Sequence, residues 1–158
     1  MHRKTRIILA LLTLLCSTAT FGQSEKGHIE VHKPLMTDVW KTFDMLLYKV
    51  EKKNGKTIYT PFFPASLKAL DGKTVTIPGY MVPKNSSRKH SNFFFSVLPI
   101  FQCMFCGQNG IPAMVEISMK NGEKLSFSED IISVSGTVRL NPSDVNHAEI
   151  QIVEAKLK

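Results

Sequence analysis

Lys73-Thr74-Val75-Thr76-Ile77-Pro78-Gly79-Tyr80-Met81-Val82 alternates apolar and polar residues with a period of two, and so reads as a β-strand. Val75, Ile77 and Met81 share one side. Pro78 lacks an N–H and Gly79 lacks a Cβ, which predicts an edge or a bulge here. A glycine also tolerates close approach of a neighbouring chain, as where a barrel strand turns a corner.

Downstream, residues 84–91 read as a polar, basic, solvated hairpin tip, and residues 92–98 and 112–119 as strongly apolar strands. Residues 131–140 and 147–157 add two more. In the former, Val134, Gly136 and Val138 lie opposite Ser133, Ser135 and Thr137, with Gly136 a second candidate bend. Asn121-Gly122 supplies two residues that tolerate positive φ and marks a reversal. Upstream, residues 56–60 form a short strand closed by Pro61 and Pro64, and residues 66–70 a turn or short helix ending near Asp71-Gly72.

Ahead of these, Met36, Val39, Trp40, Phe43, Leu46, Leu47 and Val50 recur at spacings of three and four, which predicts one amphipathic helix with Thr37 or Asp38 as its cap. Asn54-Gly55 ends it with a reversal. Five or more β segments after a single helix, without alternating βα units, give a mainly β fold with one leading amphipathic helix. The architecture expected is a small OB-like antiparallel β-barrel, a single domain over residues 36–158.

The first residues belong to another category. Arg3, Lys4 and Arg6 precede an apolar run over residues 7–15 and a polar, small-residue run over residues 17–23, the three regions of a secretory signal peptide. Residues 1–22 are read as that leader and residues 23–35 as a flexible lead-in. The apolar run is too short to span about 30 Å of hydrocarbon, so no transmembrane span is expected in the mature form. The 158-residue chain carries a formal charge of +7, and losing the three leader cations lowers it by three to +4. Export removes nucleic acid as a partner, although Phe93, Phe94 and Phe95 would suit base stacking. A periplasmic or envelope location follows. Cys16 stands where an acylated cysteine would, but Thr13-Leu14-Leu15 lacks the small residue usual before one, so a lipid anchor is the weaker alternative.

Cys103 and Cys106 then remain as the only thiols of the mature chain, in Phe101-Gln102-Cys103-Met104-Phe105-Cys106-Gly107. Two thiols separated by two residues can share a metal ion, close a disulfide, or exchange with another thiol pair. A zinc ion wants four ligands, and thiolate with thioether suits Cu(I). The completing ligands to consider are Met104, Met81, Met114, His90 and His147. The disulfide alternative makes the pair a staple in an interaction module, and the exchange alternative makes it a redox couple. His28 and His32 are read as part of a solvated tail. Glu129-Asp130 is read as a turn. No G-x-S-x-G, H-E-x-x-H, phosphate loop or dinucleotide fingerprint is present, and the reading leans away from an enzyme.

Residues 73–83 with their Gly79-Tyr80-Met81-Val82-Pro83, followed after a strand by Cys103-Met104-Phe105-Cys106-Gly107 and Pro112, resemble a family of uncharacterised bacterial exported proteins and lipoproteins with an OB-like β-domain. Trp40 and Phe62-Phe63-Pro64 fall where that family has its leading helix and incoming strand. The resemblance spans roughly residues 38–157. It implies an envelope protein that supports metal handling or a transporter system, and the donor chemistry above makes Cu or Zn the ion expected.

Overall fold

A computed structural model of the chain describes residues 32–100 and 113–158. The predicted leader with Cys16, His28, and the segment holding Cys103, Met104 and Cys106 lie outside the described residues. The elements in chain order are α1 (Asp38–Phe43), β1 (Leu47–Lys53), β2 (Lys56–Phe62), α2 (Ala65–Lys68), β3 (Thr74–Pro83), β4 (Lys89–His90), β5 (Asn92–Ser96), β6 (Met114–Met119), a 3-10 turn (Lys120–Gly122), β7 (Leu125–Ser126), β8 (Ile132–Leu140) and β9 (Ile150–Leu157).

Five of the strands close a barrel in the order β3-β5-β6-β9-β8, with β8 returning to β3. Every junction is antiparallel except β6 with β9, which is parallel. A five-stranded closed barrel in this order is OB-like, and the fold is mainly β. Alternation sets what lies inside. Val75, Ile77 and Met81 of β3, Phe93 and Phe95 of β5, Val115 and Ile117 of β6, Val134 and Val138 of β8, and Ile150 and Ile152 of β9 are all buried in one core.

Both glycines act by close approach. A Cβ on Gly79 would lie 2.6 Å from the Phe95 ring, and one on Gly136 would lie 2.6 Å from Ile152 and 2.8 Å from the Val153 carbonyl. The bulge, however, is not at Pro78-Gly79. Pro78 sits in register opposite Ser133 in a closed barrel without an edge, and its carbonyl accepts the Trp40 indole N–H at 2.7 Å. The bulge is on β9, where Ser135 pairs with Lys156 but Thr137 pairs with Val153, leaving Glu154 and Ala155 together opposite Gly136. Glu154 takes φ +51. The extra residue turns Ala155 inward, where strict alternation after Ile150 and Ile152 would have buried the Glu154 carboxylate.

The leading helix is shorter than its periodicity predicts. Thr37 caps α1, its Oγ1 accepting the Trp40 N–H at 3.3 Å, and α1 ends at Phe43. Trp40 and Phe43 are buried as expected, with Trp40 stacked on Phe95 at 6.3 Å between centroids. Leu47 and Val50 instead belong to β1, which pairs with β2 along all seven residues. The cause is the Asn54-Gly55 turn: φ values of +50 and +73 match the twist of a two-residue hairpin, so residues on both sides are drawn into pairing. The same pairing carries β2 through Pro61 to Phe62.

Two further expectations shift. Residues 84–91 are not wholly a solvated tip, because β4 pairs with β7 and buries His90. His32, expected in a solvated tail, lies edge-on to Tyr80 at 6.0 Å. No helix among the described residues is long and apolar enough to cross a membrane.

Candidate functional site

On β5 and β6 the inward residues are Phe93, Phe95, Val115 and Ile117, so Phe94 and its cross-strand partner Glu116 point to the outer face of the barrel. Glu116 is nevertheless only 1% exposed. Two connections cover it. Lys84, which follows β3, donates to Oε1 at 2.6 Å while its ammonium lies 5.2 Å from the centre of the Phe94 ring. From the connection between β8 and β9, the Ala148 N–H donates to Oε2 at 2.8 Å, and His147 Nδ1 lies 3.1 Å from Oε1 and 3.2 Å from Oε2.

Burial pushes the Glu116 carboxyl up. The hydrogen bonds from Lys84, Ala148 and His147 and the Lys84 charge outweigh that, and hold it below the usual carboxylate range. The group is therefore an ionised acceptor, and its pairing with His147 requires the proton on Nδ1. In the neutral imidazole with that tautomer, Nε2 is the acceptor nitrogen.

The backbone that presents His147 is itself braced. Asn141 donates from Nδ2 to the carbonyls of Asp144, His147 and Ala148 and accepts the N–H groups of Ser143 and Asp144. This is the local turn chemistry that Asn offers to a loop.

A cleft of about 450 Å³ opens beside the cluster, with Asp44, Tyr48, Phe94, Met114, His147 and Glu149 among its walls. Ala113, where the connection from β5 rejoins the described chain, also lines it. Burial, together with the hydrogen bond and negative charge of Glu149, pushes the Tyr48 phenol up to about 12, so it is a neutral hydroxyl at physiological pH.

Of the candidate ligands, Met114 and His147 are brought to this one cleft. Met81 is packed in the barrel core. His90 is buried on β4, and its Nε2 has no hydrogen-bond partner among the described residues. Cys103, Cys106 and Met104 fall outside the described residues, and among those described no group of three His, Cys, Asp or Glu gathers to hold a metal. The sequence reading missed Glu116, its link to Lys84, and Asn141. A signal existed for the first: Glu116 is the one charge in the apolar run Ala113-Met114-Val115-Glu116-Ile117.

No family model, curated protein or solved structure matches the chain.

Proposed function

We propose that the protein is an exported envelope protein that binds one soft metal ion, copper or zinc, through Cys103 and Cys106, with His147 and Met114 completing the donor set, as an accessory to a transporter or another envelope partner. The observation that carries this reading is the Glu116–His147 pair. A metal-binding histidine typically gives its other N–H to a carboxylate, which fixes the tautomer and the ring. Here Glu116 takes Nδ1, while His147 lines the same cleft as Ala113, the first described residue after the two thiols in the chain.

Glu116 is then a positioning residue. Lys84, Ala148 and His147 occupy both of its oxygens, so it is poorly placed to act as a general base. Thiolate, imidazole and thioether together are soft or borderline donors, suited to Cu(I) or Zn.

A second reading is an interaction module stapled by a Cys103–Cys106 disulfide. It is favoured by Val50 and Tyr59, an exposed apolar cross-strand pair of β1 and β2. Native mass spectrometry of the protein purified anaerobically from the envelope separates the two. The expected result is one metal ion per chain, lost in the C103S/C106S double variant and bound about tenfold or more weakly in E116Q. A chain two hydrogens lighter than the reduced form, with no metal and no saturable uptake after reduction, would overturn the metal reading in favour of the staple or a redox couple.

A further inference from the structure

The β1–β2 hairpin carries a surface that the metal reading does not use. Residues directly opposite across the two strands share a face, so Leu47, Lys49, Glu51 and Lys53 lie on the same side as Phe62, Thr60, Ile58 and Lys56. The other side holds Tyr48 and Pro61, which border cavities against the connection between β8 and β9, and the exposed pair Val50 and Tyr59, but its only lysine is Lys52. On the first face Leu47 is 57% exposed, Ile58 40% and Phe62 43%. Three lysines stand among them against one glutamate, and the Lys49 ammonium lies 5.7 Å from the centre of the Phe62 ring.

We infer that this face docks the protein on an anionic lipid surface. The charge is complementary to acidic headgroups, and lysine stems lie along apolar surface while their ammonium groups stay in water. Single large apolar residues spaced between lysines can enter the boundary between headgroups and acyl chains. A protein partner would favour a different composition, because the cores of protein–protein interfaces are depleted in lysine. The charged turn Lys53-Asn54-Gly55-Lys56 is polar, so the hairpin lies along the surface and does not plunge into it. Docking of this kind would hold an exported chain at the envelope without a lipid anchor.

The test is co-sedimentation of the full chain, isolated from the envelope, with vesicles of phosphatidylglycerol and phosphatidylethanolamine or of phosphatidylcholine alone. Binding is expected to the anionic vesicles only and to fall as salt is raised. Each lysine near an anionic surface is worth about fivefold in partitioning, so K49E/K53E/K56E is expected to bind at least about 100-fold more weakly. L47S/I58S/F62S is expected to weaken binding as well, and K49R/K53R/K56R to retain it. Equal binding to both vesicle types, no binding to either, or binding that neither hairpin variant changes would overturn the inference. Lysine-dependent capture of an acidic protein from lipid-depleted envelope extract, without vesicle binding, would also overturn it and give the face to a protein.

Discussion

Gly79 and Gly136 both stand where a Cβ does not fit, but they differ in what would have to move. At Gly79 the three nearest atoms all belong to the Phe95 ring, a side chain. At Gly136 it includes the Val153 carbonyl and the Ala155 Cα, which belong to the bulged strand. Overpacking of this kind costs about 1–3 kcal/mol. Urea unfolding is therefore expected to show both G79A and G136A destabilised. A second substitution, F95L, should recover part of the G79A loss, whereas I152V should recover little in G136A because the backbone contacts remain. Equal rescue at the two sites would contradict the distinction. The close approach itself was readable at both glycines, since each breaks an alternating apolar pattern. Glu154 was not: its positive φ arises because β9 must satisfy β6 and β8 at once, and only the pairing shows the extra residue.

At the scale of elements, α1 is a short helix of six residues held by tertiary contacts. So short a helix has little stability of its own. The Trp40 indole supplies much of the anchorage by stacking on Phe95 and donating to the Pro78 carbonyl of β3. W40F keeps an aromatic ring but vacates volume and leaves that carbonyl without its donor, and is expected to cost about 2 kcal/mol in chemical unfolding. A change under about 0.5 kcal/mol would show that α1 is held by other contacts. The helix was half legible. Residues 36–43 gave the correct stripe, but the spacing of Leu46, Leu47 and Val50 continued it by coincidence. Local periodicity could not reveal that pairing across Asn54-Gly55 outcompetes the helix.

For the whole molecule, Glu116 ties the barrel wall to both flanking connections. Its carboxyl is held below the usual range in the folded protein. A group with a depressed folded value contributes stability above its unfolded value, and loses that contribution as pH falls through the folded one. In the metal-free protein, the unfolding free energy is expected to decline as pH falls through and below the ordinary carboxylate range, more steeply in the wild type than in E116Q. E116Q should be the less stable of the two near neutral pH, because the Lys84 charge is left without its partner. Parallel pH profiles would show that the cluster does not couple to folding.

What the sequence determined by itself is the set of barrel strands, the faces they bury and the glycine positions that let them close, because alternation and backbone freedom are local properties. The thiol pair was also legible, as spacing in the chain. Tertiary structure alone decided that β6 lies parallel to β9, that β1 belongs to a hairpin, and that Lys84, Glu116 and His147 meet. Those three residues are separated by 32 and 31 positions and come from two connections and one strand. Their encounter follows from closing the barrel, which brings distant loops to one outer face and converts a lone charge in an apolar strand into a buried, saturated carboxylate.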